Sequence, residues 1–323
     1  MRPTGRLHLG HLVGALNNWV RLQDEYECFF MVADWHALMS EYENSKALKE
    51  NIYDNVADWL AAGLDPDKAT IFIQSEVQEH LDLFMAFSVL TPLGWLERCP
   101  TYKEQMRELK DRHISTYAFL GYPVLQAADI CLYKSLVVPV GEDQLPHLEL
   151  TREIVRKFNG LYAQVFPEPK PLLTQFPRLP GLDGRKMSKS YNNFIALSDA
   201  PETIMKKTQS MFTDPKRIRK TDVGHPEECN VFEYYKIFSP EDKNDVAHWC
   251  KNAERGCTEC KKMLGERLVK FLGPFQDRRQ EFMEDKKKIT QILEKGRAQA
   301  SRVAAETMKE VRHATGMVAC PTK

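Results

Sequence analysis

No apolar run in the 323 residues approaches the ~18 residues of a membrane-spanning helix, so none is expected. Nothing apolar follows Met1-Arg2-Pro3-Thr4-Gly5, so no signal peptide is expected either, and the expected compartment is the cytosol. No GxGxxG follows a predicted strand, which leaves a nicotinamide-dependent dehydrogenase without its phosphate-binding turn. Internal repeats and low-complexity segments are also missing. Net charge is absent, with 45 Lys and Arg against 45 Asp and Glu. The balance is uneven along the chain. Residues 1–200 carry 20 basic against 26 acidic side chains, and residues 201–323 carry 25 against 19. That asymmetry suggests an anionic partner such as nucleic acid for the second half.

What is present suits a globular enzyme. Hydrophobic residues make up 43% and charged residues 28%, and the length is enough for two domains with a sizeable core. Of eight cysteines, Cys229, Cys250, Cys257 and Cys260 fall within 32 residues, spaced C-x20-C-x6-C-x2-C. In a cytosolic chain such a cluster suggests metal before disulfides. Four thiolates suit tetrahedral zinc or a [4Fe–4S] cluster.

Apolar periodicity predicts a helix from His8 to about Asp24. Strands are predicted at Cys28–Ala33, Thr70–Gln74 and Leu136–Val140. Helices are expected from about Ser45 to Gly63, stopped by Asp65-Pro66, and from Glu79 to Leu90. Others are expected from Tyr102 to Leu109, from Tyr117 to Tyr133 around Pro123, and from Glu142 to Phe158, closed by Asn159-Gly160. Residues 164–181 read as irregular. Beyond Ala200 the pattern is helical, ending in a long helix from about Lys288 to His313. The expected fold is α/β, a doubly wound parallel, Rossmann-like sheet over 1–196 followed by an all-helical domain over 197–323.

Four stretches carry candidate chemistry. Gly181-Leu182-Asp183-Gly184-Arg185-Lys186-Met187-Ser188-Lys189-Ser190 reads as a loop tipped with three cations, fit to grip a polyphosphate as charge develops. Alone, such a string favours the plainer reading of a solvated basic loop. His8-Leu9-Gly10-His11 opens a helix. Gly10 would let a flat ring approach the backbone, and the imidazoles could donate to phosphate oxygens. The plain alternative is two surface histidines. Gly141-Glu142-Asp143-Gln144 follows a strand and opens a helix, where doubly wound folds bind ligands. There Asp143 could accept ribose hydroxyls and Gln144 could hold a polar substrate group, while His147 reads as structural. The plain alternative is an acidic first helical turn. Tyr122, Gln126 and Asp129 are spaced to share one helix face. If buried, Asp129 needs a donor, and an indole N–H or a salt bridge to Lys134 would serve equally.

The stretches GRLHLGH, ADWHA, TYKE, GYPVLQAADI, VPVGEDQLPHLELTRE and GRKMSKS occur in the order and spacing of the bacterial tryptophanyl-tRNA synthetases, class I enzymes that the chain resembles over nearly its whole length. The resemblance implies ATP with Mg²⁺, L-tryptophan, tRNA(Trp), a homodimer, and a helical domain that reads the anticodon. It implies that Asp129 holds the indole nitrogen and that Tyr122 and Gln144 hold the α-amino group. Val138 and Val140 would line the pocket, with Gln126 and His36 near the amino acid. Gly10, Gly141 and Asp143 would meet the adenosine, and His8, His11, Lys103, Lys186 and Lys189 the phosphates, with Met187 and Ser188 in the same loop. No covalent nucleophile is needed, so positioning and charge stabilisation would supply most of the rate. A comparable cysteine quartet in some members holds an iron–sulfur cluster, which favours iron over zinc here. Relatives place a strand before the Pro3-Thr4-Gly5 turn, so a leader ahead of Met1 is expected. Tyrosyl-tRNA synthetase is the nearest rival, and a non-catalytic RNA-binding descendant is a third reading. GEDQ with ELTRE favours tryptophan, and intact HLGH and KMSKS argue for catalysis.

Overall fold

Two short parallel strand pairs, rather than one continuous sheet, carry the first half of the chain in the computed structural model. It describes residues 1–100, 102–103, 106, 114–173, 179–187, 189 and 191–317. A first helical run, α1, comprises Leu9–His11, a π-helical segment Leu12–Leu16, and Asn17–Leu22. Strand β1 (Cys28–Val32) then leads into α2 (Asp34–Glu41) and α3 (Leu48–Ala62). The chain returns as β2 (Ala69–Ile73), parallel to β1 with Cys28 opposite Ala69 and Val32 opposite Ile73. After α4 (Glu79–Ser88), α5 (Leu93–Arg98) and α6 (Tyr117–Leu132) comes β3 (Val137–Val140). Helix α7 (Leu145–Leu161) connects it to β4 (Lys170–Leu173), parallel to β3. Parallel strands joined by helices are thus as expected, and among the described residues they pair two by two. The backbone of Met1 bonds to β1, its amino group donating to the Met31 carbonyl at 2.6 Å and its carbonyl accepting from Ala33 N–H at 2.9 Å.

Several boundaries move for identifiable reasons. Helix α3 begins at Leu48 rather than Ser45, after a 3₁₀ segment Tyr42–Ala47, and ends where expected, because Gly63 takes a left-handed φ of 111° and closes the last turn by donating to the Leu60 carbonyl. Helix α7 does not stop at Asn159-Gly160. The Asn159 side chain instead accepts from the backbone of Val165 and Phe166 and donates to the Phe166 carbonyl, tying the following loop to a helix that runs through to Leu161. Residues 164–181 include β4, so that stretch is not wholly irregular. Of the helix expected at Tyr102–Leu109, only Tyr102, Lys103 and Met106 lie within the described residues, and they are helical.

The second half is helical: α8 (Pro201–Gln209), α9 (Asn230–Phe238), α10 (Lys243–Lys251), α11 (Cys257–Glu284) and α12 (Lys286–Thr315). One hydrophobic cluster joins Leu9, Val56, Trp59 and Ile71 to Tyr235, Leu268 and Leu293, so it spans residue 197 without a break. A second joins β2, α4, α6 and α7 through Phe72, Phe87, Val124 and Phe158 to Ala300, Ala304 and Met308 of α12. Each large apolar side chain so buried contributes about 1.5–3 kcal/mol. Helix α12 lies against β2 closely enough that a Cβ on Gly296 would overlap the Ile71 carbonyl.

Candidate active site

Backbone pairing brings the two basic signatures together across nearly two hundred residues. Leu9 N–H donates to the Ile195 carbonyl at 3.1 Å and Leu197 N–H to the Leu7 carbonyl at 2.9 Å. His8-Leu9-Gly10-His11 is thereby held against the end of the Lys186–Lys189 loop. Gly10 is the point of closest approach, since a Cβ there would stand 3.1 Å from the His8 ring and 3.2 Å from Met187 Sδ. The rings of His8 and His11 lie 3.8 Å apart, and His8 N–H donates to His11 Nδ1 at 3.2 Å. Burial, then the nearby Lys189 ammonium, pushes the His8 pKa down to about 3. Burial and the His8 ring hold His11 well below its usual range too. Both are therefore neutral at pH 7. With His11 Nδ1 accepting, its single proton is on Nε2. His8 Nδ1 is buried and has no partner within the protein.

The three loop cations are not alike. Arg185 is tied to Asp183 and lies 4.6 Å over the Tyr191 ring. Lys186 is exposed. Lys189 Nζ donates to the Gly5 carbonyl at 2.9 Å, and its pKa is lowered to about 8 by burial and then by Arg2. Asn193 braces the loop through Asp183 at 2.7 Å and the Lys186 carbonyl at 3.1 Å. Ser188 lies outside the described residues, and Lys103 is exposed.

Tyr122, Gln126 and Asp129 all sit on α6, and Asp129 is the centre of a donor cluster. Its Oδ1 accepts from Gln74 Nε2 at 2.8 Å and His80 Nδ1 at 2.7 Å, and its Oδ2 from His36 Nε2 at 2.7 Å. Burial alone would raise the carboxyl pKa, but the bonds from His36 and His80 outweigh it and hold the group well below the usual carboxylate range. A carboxylate has about four lone-pair positions. Three are filled, and the fourth is on Oδ2. Lys134 is not the partner, because it pairs with Glu310 at 2.7 Å.

Gln74, His80 and Tyr133 were not anticipated from sequence. Gln74 follows the carboxyl end of β2 and is engaged at both ends of its amide, donating to Asp129 while accepting from Trp35 N–H at 3.2 Å. His80 is fully buried, and its Nε2 meets the Tyr133 hydroxyl at 2.9 Å. The available signal was the run Ile73-Gln74-Ser75-Glu76-Val77-Gln78-Glu79-His80 at the end of a predicted strand.

A second polar chain runs alongside. Tyr122 Oη meets His147 Nε2 at 2.8 Å, His147 Nδ1 meets Gln144 Oε1 at 2.9 Å, and Gln144 Nε2 donates to Asp143 Oδ2 at 3.1 Å. Gln126 Nε2 reaches the same Gln144 oxygen at 3.5 Å. Gly141 leaves room for this turn, as a Cβ there would lie 2.6 Å from Asp143 Oδ1. Val140 is buried and Val138 partly so.

Cys229, Cys250, Cys257 and Cys260 line one small pocket with Arg217, Trp249 and Arg255. Even so, no group of three or more His, Cys, Asp or Glu side chains among the described residues is arranged to hold a metal ion, so a metal centre there is not supported. The two observations differ in what they require. Four sulfurs can ring one hollow and still be too spread for a single ion, whose thiolates sit at about 2.3 Å. Burial pushes the Cys260 thiol up to about 12 and raises Cys250 as well, so these thiols are protonated as they stand. No helix among the described residues is long and apolar enough to cross a membrane.

Residues 1–273 match the family described as tRNA synthetases class I (W and Y). The chain is 49% identical to a tryptophan–tRNA ligase of Thermotoga maritima and 43% identical to that of Aquifex aeolicus, each over 98% of both chains. It superposes on a tryptophanyl-tRNA synthetase from Campylobacter jejuni, solved with ADP and tryptophan, with a TM-score of 0.90 at 31% identity over 98% of each chain. The chain belongs to the class I tRNA synthetases of the tryptophan and tyrosine group. Its activity within that group is that of a tryptophan–tRNA ligase.

Proposed function

We propose that this site activates L-tryptophan with Mg²⁺-ATP and passes the tryptophanyl group to tRNA(Trp), with the roles divided as follows. Asp129 accepts the indole N–H at its remaining Oδ2 position, beside His36. Tyr122 and Gln144 receive the α-ammonium, with Gln126 near the amino acid, and Val138 and Val140 flank the ring. Gly10, Gly141 and Asp143 take the adenosine, with Met187 and Ser188 in the closing loop. His8, His11, Lys103, Lys186 and Lys189 bind the phosphates. The tryptophan carboxylate attacks the α-phosphorus, the bond to the bridging oxygen breaks, and pyrophosphate leaves. The cations neutralise charge as it develops there, and Mg²⁺ arriving with ATP adds to it.

The observation that carries this reading is Asp129, ionised, buried and short of one donor. ATP–pyrophosphate exchange with tryptophan and tyrosine side by side tests it. A site built around one N–H can reject analogues lacking it by ~10⁴-fold. Asp129→Ala is expected to lose most of that discrimination. Better exchange with tyrosine than with tryptophan in the intact enzyme would overturn the assignment.

Residues 197–323 take the anticodon arm and residues 1–196 carry the chemistry, a division in keeping with the basic excess of the second half. Exposed Met85, Val89 and Tyr117 on and around α4 and α6 are consistent with a homodimer. The cysteine quartet would hold a [4Fe–4S] cluster rather than zinc. Its support is four thiols around one pocket, an unpartnered buried Arg217 Nε, and Gly224, where any Cβ would collide with Cys250 Sγ. The thiols would lose their protons to bind it, and the cluster would brace the helical domain. Brown protein with about four irons per chain under anaerobic purification supports iron. Stoichiometric zinc without iron rules it out.

A further inference from the structure

We infer that His147 is a positioning residue that fixes the direction of the Tyr122 hydroxyl, so that the oxygen lone pairs of Tyr122 face the α-ammonium of the amino acid. The inference rests on the proposed role of Tyr122 and Gln144 as receivers of that ammonium. It follows from a chain of contacts whose polarity is set at one end. The Asp143 carboxylate can only accept, so the NH₂ side of the Gln144 amide is the one facing it, at 3.1 Å. That turns Gln144 Oε1 toward His147 Nδ1 at 2.9 Å, and Nδ1 must carry the proton. A neutral imidazole has one donor and one acceptor. Its Nε2 therefore accepts, and the Tyr122 O–H donates to it at 2.8 Å.

With its only proton committed inward, Tyr122 offers nothing but acceptor character to a ligand. Gln144 Oε1, which accepts from His147 Nδ1 at 2.9 Å and is reached by Gln126 Nε2 at 3.5 Å, likewise presents acceptor character only. An ammonium has three donors and no acceptor, so it is the complement of this arrangement. Were the imidazole turned, or charged, Nε2–H would donate to Tyr122 and leave its O–H free to meet the ammonium with like polarity. His147 is 1% exposed, and burial lowers its pKa to about 4, which keeps it neutral at working pH. The T-shaped contact of the Tyr122 and His147 rings, 5.2 Å between centroids, holds the relative placement.

The test compares tryptophan with indole-3-propionate, which keeps the ring and carboxylate but lacks the amino group. Inhibition by indole-3-propionate and the tryptophan KM are measured in ATP–pyrophosphate exchange for wild type, His147→Phe, His147→Asn and His147→Gln. Loss of one hydrogen bond to a charged group corresponds to roughly 10- to 100-fold. His147→Phe is expected to lose that much preference for tryptophan while the indole-3-propionate inhibition constant and the ATP KM hold. His147→Asn, which keeps the donor near the Nδ1 position but not the acceptor, is expected to lose it too, and guards against a packing defect in the phenylalanine variant. His147→Gln places an amide near the Nε2 position and is expected to recover the preference to within a few-fold. Retained preference in both His147→Phe and His147→Asn, with loss in Tyr122→Phe, would overturn the inference alone. Retained preference in Tyr122→Phe and Gln144→Ala would overturn the ammonium assignment beneath it.

Discussion

Asp129 is buried by folding and kept ionised by the donors folding places around it. His80 is one of them, and its own Nε2 is held by Tyr133. In His80→Phe the carboxyl loses a donor while burial is unchanged, so its pKa must rise. The ionised form accepts an indole N–H more strongly than the protonated form, whose O–H also needs an acceptor of its own. The tryptophan kcat/KM is therefore expected to fall as pH drops through the raised value, giving an acid limb the wild type lacks above pH 5, with KM about 10-fold higher at pH 7. A pH profile unchanged from wild type would show that His80 does not act through Asp129. The stability sign agrees. A depressed carboxylate contributes stability above its unfolded pKa and loses it as pH falls through the folded one, so the variant gives up part of that term. Lys189 shows the opposite sense. With its pKa at about 8, its charge is lost as pH rises through that value. Free-enzyme kcat/KM for ATP is expected to decline above pH 8, and Lys189→Arg, always charged, is expected to remove the decline. Asp129 and Tyr122 were legible in sequence because a helix period of three and four put them on one face. Gln74, His80 and Tyr133 were not, because their meeting depends on how β2, α4 and α6 pack, which local spacing does not encode.

At the scale of elements, helices were easier to anticipate than strand pairing. Apolar periodicity marked α3, α6 and α12 to within a few residues. Strand β4 escaped because Pro171 interrupts it and three of its four residues are exposed, leaving neither alternation nor an apolar run to detect. Asn159-Gly160 has the composition of a helix stop, but the Asn159 side chain found loop partners and left the backbone helical. The packing of α12 on β2 gives a prediction of its own. A Cβ on Gly296 would meet the backbone of Ile71, which cannot rotate away as a side chain would. Gly296→Ala, ordinarily favourable in a helix, is expected here to destabilise by about 1–3 kcal/mol or more, read as a lower midpoint in thermal unfolding. Gly160→Ala on α7, where nothing lies within 4 Å, is the control and is expected to be neutral or stabilising. A similar loss in both variants would show that helix geometry and not the contact with β2 is responsible.

At the scale of the whole molecule, α3 and α11 are joined by a buried clasp as well as by apolar contact. Arg279 Nε donates to Asp58 at 2.7 Å and its Nη2 to Asp54 at 2.7 Å, with Asp58 3% and Arg279 15% exposed. The two signatures of the site descend from segments that this clasp and the shared core hold in one body, so its loss is felt beyond the contact itself. Burial pushes the Asp58 pKa up to about 6 despite the guanidinium. A raised carboxyl favours the protonated form, so the fold is free of this cost below the unfolded pKa of 3.8 and bears it increasingly as pH climbs to about 6. Removing the guanidinium leaves that charge uncompensated. Arg279→Met is therefore expected to lose about 3–5 kcal/mol at pH 7.5. The deficit against wild type should shrink at pH 5, where Asp58 can take up a proton. Adding Asp58→Asn to Arg279→Met is expected to recover much of the loss at pH 7.5, because a neutral amide has no charge to strand. Thermal unfolding of the three proteins at the two pH values separates the cases. A deficit that is the same at both, and is not relieved by Asp58→Asn, would mean that the aliphatic stem of Arg279 matters at this junction and its charge does not.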